Sequence, residues 1–349
     1  MKLRWGILGT ASIARKNWKA AWHSGNSVVT AVASRSAERS RQFIDESQRE
    51  KPFDTVPAAL SSYEDLIASR NVDAIYVPIP TALRKDWIVR AAEAGKHILC
   101  EKPVGPSVAE TREMIDACRR NRVQFMDGVM FMHNPRLDRI RLAITDETSF
   151  GKLRRVTTHF SFFANDTFLT ANIRSDSALE PLGCLGDLGW YCIRFALWVM
   201  NWRLPREVSG QILKQAGNAK SSSAVPFDFA GELLFDDDVS SGFFSSFLAA
   251  YSNWAVMTGT KGHVRVPDFV LPKQSSNGAL EINSELSDDL KMDLLTTQET
   301  NMVRAFADQV LSGKLNEAWP EHAMKTQIVT NACLDSARLG RPIPLEARR

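Results

Sequence analysis

Two stretches of this 349-residue chain combine residue types that could do chemistry. The first is Ile98-Leu99-Cys100-Glu101-Lys102-Pro103. Its apolar start reads as a buried strand. A solvated lysine needs no such support, whereas a lysine at the tip of a buried strand is a fixed positive charge. The second is the segment GCLGDLGWYCIR, residues 183–194. Asp187 and Tyr191 stand four apart at a predicted helix start and so share a face, with Arg194 three further on. Gly183, Gly186 and Gly189 would let a ligand approach Asp187 closely. The competing reading makes Asp187 a helix N-cap.

A third stretch, Gly9-Thr10-Ala11-Ser12-Ile13-Ala14, lies between a predicted strand and a predicted helix. It matches the GxGxxG/A dinucleotide fingerprint apart from Ala11, whose methyl sits where a phosphate should approach. Gly9 to Ile13 are therefore the candidate pyrophosphate cradle, formed by backbone N–H groups and a helix N-terminus. The second strand ends in Ser34-Arg35-Ser36, followed by Arg39 and Arg41, with no carboxylate before Glu38. A ribose 2′-hydroxyl would call for an acid at this place. A guanidinium with two hydroxyls suits a 2′-phosphate. The expected cofactor is NADP, with NAD as the alternative, and Ser34, Arg35 and Arg39 are its candidate contacts.

These residues need a scaffold. Up to about residue 128, short apolar strands alternate with helical stretches, which implies a doubly wound parallel sheet. Beyond it, strand-like segments such as 151–163 and 229–250 suit an antiparallel sheet with one packed face. Two helices close the chain, the second starting near Pro320 and stopping at Gly340. The expected fold class is α/β: a Rossmann domain over 1–128 and an α/β domain with a largely antiparallel open sheet over 129–349.

Composition narrows the function. Lys+Arg total 43 and Asp+Glu 40, a net charge of +3, too small a surplus for a dedicated nucleic-acid binder. No apolar run is long enough to span a bilayer, and no apolar leader precedes the first strand. Five scattered cysteines without a CxxC pair read as reduced thiols, so a cytoplasmic location is expected. Six scattered histidines argue against a metal site.

The segments GILGTASIA, ASRS, VPIPTALRKDWIVRAAEAGKHILCEKP, MDGVMFMHNPR and GCLGDLGWYCIRFALW together resemble the glucose-fructose oxidoreductase/inositol dehydrogenase/MocA family, in family order along nearly the whole chain. The resemblance is nearest to NADP-dependent D-xylose dehydrogenases and dimeric dihydrodiol dehydrogenases. It implies that Lys102 sits beside a nicotinamide, positioned by Pro103, that Glu101 orients the strand end, and that Tyr191 is the proton donor and acceptor. This pair is chemically sensible. A tyrosine of pKa about 10 is a poor base near neutrality, and an adjacent ammonium lowers that value. Asp187 would orient the substrate, and Arg174 matches a family arginine near cofactor or substrate. Arg194 and His133 are substrate candidates, with Asn134 read as a helix cap. Pro78, Pro80 and Leu83 could line the nicotinamide pocket, although Arg84 replaces a common family histidine next to them. The expected reaction is hydride transfer between NADP and a sugar-like hydroxyl, at the anomeric carbon of an aldose. Oxidation of a trans-dihydrodiol is the alternative. A non-catalytic NADP sensor would have no need of Lys102 with Tyr191. An open sheet face implies a homodimer.

Overall fold

The computed structural model describes residues 1–272, 279–287 and 295–345. Its chain divides into two compact units, Met1–Gly105 with Ala109–Asn134 and Asp293–Ala323, and Pro106–Val108 with Pro135–Met292 and Met324–Arg349.

The first unit alternates strands and helices: β1 (Leu3–Leu8), α1 (Ser12–Ser24), β2 (Ser27–Ala33), α2 (Ala37–Glu50), β3 (Ala58–Leu60), α3 (Tyr63–Ala68), β4 (Ala74–Val77), α4 (Arg84–Glu93), β5 (His97–Cys100), α5 (Val108–Arg120) and β6 (Phe125–Asp127). The strands form one parallel sheet in the order β3-β2-β1-β4-β5-β6. The order reverses at β1 and β4, where open sheets of this kind bind ligands at the strands' carboxyl ends. β4 and β5 are apolar runs because the sheet is covered on both faces, and Ile75, Val77, Ile98 and Cys100 are fully buried. β3, three residues long, is too short to show a period and was not legible in the sequence. Ser36 caps α2, its hydroxyl accepting from the Arg39 N–H, and Gly25 ends α1 at φ +80°.

The second unit contains α6 (Arg136–Thr145), β7 (Leu153–Ser161), α7 (Asp166–Ala171), α8 (Trp190–Val199), β8 (Glu207–Ala216), β9 (Val225–Leu234), β10 (Ser240–Ser246), β11 (Ser252–Gly259), β12 (His263–Val266), β13 (Leu280–Ile282) and β14 (Glu285–Ser287). Its sheet runs β14-β13-β12-β11-β7-β10-β9-β8-β15, with β15 at Ile343–Pro344. Among the described residues every pairing of this sheet is antiparallel except β7 with β10. α8 is apolar almost all round and correspondingly buried. Val156 and Phe160 of β7 face it, while alternation turns His159, Trp254 and Phe244 to the other face, where His159 stacks on Trp254 at 5.5 Å.

The last two helices, α9 (Gln298–Leu311) and α10 (Ala318–Leu339), correct the expected single cut at residue 128. α9 belongs to the first unit. Its Phe306 packs on Trp5 of β1 at 5.1 Å, and Glu299 pairs with Lys16 of α1 at 2.5 Å. A boundary read from the change in pattern cannot reveal that the chain returns. Pro320 is the third residue of α10, not its first.

Candidate active site

The candidate residues lie on both units. In the first, Gly9 follows β1 at φ +108°, its N–H donating to the Ala33 carbonyl at 2.8 Å. A β-carbon there would come 3.0 Å from Ile79 Cγ2 and 3.6 Å from the Tyr63 hydroxyl, so glycine suits this turn twice over. Ala11 occupies the N-cap of α1 without a side-chain acceptor, which leaves the helix's first N–H donors for an external anion. Thr10 and Ala11 are half-buried, and Ser12 and Ile13 exposed.

Ser34 corrects an expectation. It is buried, its hydroxyl donates to the Ser36 carbonyl at 2.7 Å and accepts from the Ser40 hydroxyl at 3.0 Å, so it builds the turn. Arg35 and Arg39 are exposed. The Arg35 charge acts on Tyr63, whose hydroxyl is pushed up by burial and drawn back by that guanidinium. The Tyr63 hydroxyl thus lies beside Gly9 and within range of the Arg35 charge. Such a turn, an open helix N-terminus and exposed guanidinia fit a dinucleotide carrying an extra phosphate.

At the strand tip, Glu101 lies at the end of a buried hydrogen-bond chain. Asn17 Nδ2 donates to the Tyr76 hydroxyl at 2.7 Å, and that hydroxyl donates to Glu101 Oε1 at 2.6 Å. Burial, then the Glu101 charge, push the Tyr76 pKa well above its ordinary value, so it stays a donor. Glu101 Oε2 accepts the Lys102 N–H at 3.3 Å, and the Lys102–Pro103 peptide is cis. The sequence reading missed Asn17 and Tyr76, although a tyrosine inside the buried run AIYV signals a need for a partner. Pro78 is buried, Pro80 half-buried and Leu83 half exposed in the turn Thr81–Leu83. Arg84 is 4% exposed and turned inward, donating from Nε to the Ile79 carbonyl at 2.8 Å and from Nη1 to those of Glu101, at 2.5 Å, and Pro103. Its guanidinium serves the strand-tip backbone. His133 is half-buried, its carbonyl accepting from Asn301 at 3.2 Å and its ring edge-on to Trp319. Asn134 is not the N-cap of α6, which is Pro135 without a side-chain cap; it closes the turn Met130–His133, its N–H donating to the Phe131 carbonyl, and its buried amide meets Gln298 at 3.4 Å.

In the second unit, Leu185–Gly189 forms a π turn immediately before α8. Such turns recur at functional sites. Asp187 sits inside it, which rules out the N-cap reading. Its Oδ2 accepts from Arg174 Nε at 2.8 Å. The Arg174 pKa is raised, first by the Asp187 charge against the cost of burial, then by their hydrogen bond and by Glu180 and Tyr191. Arg174, Asp187 and Tyr191 thus form one electrostatic group. Tyr191 is 7% exposed, its ring 5.8 Å from that of Phe160. Two glycines near Asp187 serve packing instead of ligand approach. A β-carbon on Gly183, at φ +50°, would lie 2.2 Å from the Pro226 carbonyl oxygen, and one on Gly189 2.9 Å from Leu185 Cδ1. Arg194 is also corrected. It is 3% exposed, donates to Thr326 Oγ1 at 2.7 Å and lies over Trp190 and Trp202, a core position that takes it out of the substrate candidates.

Among the described residues no group of three or more His, Cys, Asp or Glu could hold a metal ion, and no helix is long and apolar enough to cross a membrane. All five cysteines are buried and free.

A Rossmann sheet with a glycine turn at its order reversal, joined to an open mixed sheet carrying a tyrosine–carboxylate–guanidinium group, defines a two-domain dehydrogenase class. Residues 3–129 match the GFO/IDH/MocA oxidoreductase family with its NAD-binding Rossmann fold, and residues 142–265 match the GFO/IDH/MocA C-terminal domain. The chain belongs to this oxidoreductase family and is an enzyme of that class. It is 27% identical to D-xylose 1-dehydrogenase (NADP(+)) 2 of Haloferax volcanii, covering 99% of this chain and 100% of that one. It is 29% identical to trans-1,2-dihydrobenzene-1,2-diol dehydrogenase of Macaca fascicularis over 75% of this chain and 73% of the relative. A 3-ketoreductase from Actinomadura kijaniata, solved with NADP and TDP-benzene, shares the fold at TM-score 0.83 and 23% identity, covering 96% and 98% of the two chains.

Proposed function

We propose that the chain is an NADP-dependent dehydrogenase that oxidises a sugar-like hydroxyl, at C1 of an aldose. The observation that carries this reading is the group formed by Tyr191, Asp187 and Arg174, in a chain whose full length aligns with a D-xylose dehydrogenase. Bound NADP supplies the hydride acceptor for oxidation, and its reduced form the donor for reduction. Gly9 to Ile13 hold the pyrophosphate, and Arg35 with Arg39 the 2′-phosphate. Pro78, Pro80 and Leu83 border the nicotinamide end.

Tyr191 takes the proton of the substrate hydroxyl as the carbon bearing that hydroxyl gives up a hydride, so a hydride and a proton, two electrons and two protons in all, leave the substrate. A tyrosinate is the form that can accept, and nearby cations favour it. Lys102 supplies one such charge and Arg174 another, while Asp187 fixes Arg174 and offers an acceptor to a neighbouring hydroxyl. His133 borders the substrate.

Purified protein, supplied separately with NADP and NAD, would be tested on D-xylose, D-glucose, myo-inositol and trans-1,2-dihydrobenzene-1,2-diol by absorbance at 340 nm. Turnover of an aldose with NADP supports the reading. Turnover of the dihydrodiol alone moves the assignment to the second reading, which the similarity to the dihydrodiol dehydrogenases favours. Failure on all four overturns both.

The same proposal includes a homodimer joined through the sheet face that bears His159, Trp254 and Phe244. Light scattering should give twice the 39.0 kDa of one chain. A single-chain mass at every concentration would contradict it.

A further inference from the structure

We propose that Arg84 is a positioning residue for Lys102, clamping the carbonyls on either side of it and so fixing the reach and heading of its ammonium. The inference rests on the reading of Lys102 as a working charge.

Arg84 is the first residue of α4, where a cation opposes the helix dipole. It is also 4% exposed, and burying a guanidinium is costly unless it is well bonded. Three of its hydrogen bonds run to backbone carbonyls. Nε reaches Ile79, whereas the single nitrogen Nη1 bridges Glu101 and Pro103, the residues immediately before and after Lys102. The Lys102 N–H is tied from another side to Glu101 Oε2, and that carboxylate is held in turn by Tyr76 and Asn17. Three backbone groups around one lysine are thus bonded to the side chains of Arg84 and Glu101. Filling space would need no charge, and an apolar side chain would do it more cheaply. The planar fork of arginine can span several carbonyls at once, and a lysine ammonium lacks that fixed geometry.

Two readouts test the clamp. In the cofactor-free protein, lysines are ¹³C-dimethylated and Lys102→Arg identifies the Lys102 signal. That signal should stand apart from the exposed lysines in the parent protein, collapse toward them in Arg84→Met and recover in part in Arg84→Lys. With saturating NADP and either D-xylose or trans-1,2-dihydrobenzene-1,2-diol, Arg84→Met should lower kcat about 10–100-fold, the scale expected for misplacing a reacting group. NADPH affinity should stay within about threefold, since the pyrophosphate and 2′-phosphate contacts lie elsewhere. In a Lys102→Ala background Arg84→Met should have no further effect on kcat. An unmoved Lys102 signal overturns the proposal, as does an equal loss of kcat in both backgrounds. Full turnover by Lys102→Ala overturns the underlying reading of Lys102, whatever Arg84 does. If Arg84→Met does not fold, Arg84→Lys carries both measurements, and if neither substrate reacts the Lys102 signal decides.

Discussion

Arg174 Nε donates to Asp187 Oδ2 at 2.8 Å, joining a loop residue to the π turn that precedes Tyr191. The carboxylate side chain is only 13% exposed and the guanidinium 39%. Breaking the pair leaves Arg174 without its main counter-charge and, in the proposed function, takes a carboxylate acceptor from the substrate. Asp187→Asn should lower kcat/KM roughly 10–100-fold, the equivalent of one charged hydrogen bond. Steady-state kinetics on the best aldose checks this, and a value within twofold of the parent protein counts against a substrate-orienting Asp187.

Cofactor choice should rest on Arg35 and not on Ser34. Arg35 is exposed just past the end of β2, while the Ser34 hydroxyl is spent on Ser36 and Ser40. Arg35→Ala should weaken NADP binding by about 1.5–3 kcal/mol and leave NAD binding unchanged. Ser34→Ala should leave both affinities unchanged and instead cost stability of about 1–3 kcal/mol through a broken turn. Fluorescence titration with each cofactor and a urea melt separate these outcomes.

The contrast between those residues marks how far the sequence was legible. The glycine turn and both sheets were readable because period and apolar runs survive in a single chain. The lysine at the end of β5 stood out because its strand is buried. What escaped was long-range. Ser34 looks free until Ser40 is folded against it, Arg194 looks like a ligand until Thr326 and two tryptophans surround it, and α9 looks like part of the second domain until Phe306 meets Trp5. The π turn was invisible because the segment around it is apolar on nearly every face, so an extra residue displaces no visible stripe. Arg84 was noticed only as a departure, and its carbonyl partners lie up to nineteen positions away.

His97, at the start of β5, should give stability a dependence on pH. Its Nδ1 accepts the Gln124 N–H at 2.9 Å, and burial holds its pKa below the ordinary value against the opposing charge of Asp73. The unfolded imidazole titrates near about 6.5 and binds its proton first as pH falls. The contribution of this group is therefore flat above that value and turns destabilising as pH drops through it toward the folded pKa. Urea midpoints between pH 8 and 5 should decline less in His97→Gln than in the parent protein. Parallel declines would dismiss His97 as the cause.

Gly183 should not tolerate a side chain. Alanine there meets the Pro226 carbonyl oxygen in a left-handed conformation, at φ +50°. A left-handed non-glycine residue alone costs about 1–3 kcal/mol, and the clash adds to it. Thermal melting of Gly183→Ala should show a clear loss of stability, and an unchanged Tm would mean that the π turn can move away from β9.

The central claim is that Tyr191 is the acid–base and Lys102 the charge that tunes it. The most direct measurement is kcat against pH for the parent protein, Tyr191→Phe, Lys102→Met and the double variant, with NADP affinity measured separately. Phenylalanine keeps the ring against Phe160, so folding and cofactor binding should hold. Turnover of Tyr191→Phe should fall about 10²–10⁴-fold with the loss of the proton acceptor. Lys102→Met should be slower as well, with its optimum for oxidation moved to higher pH because the tyrosinate has lost a cation. The double variant should be no worse than the poorer single one, since both residues serve one proton transfer. Near-parental turnover by Tyr191→Phe would contradict the account and make His133 the next residue to test as the proton acceptor.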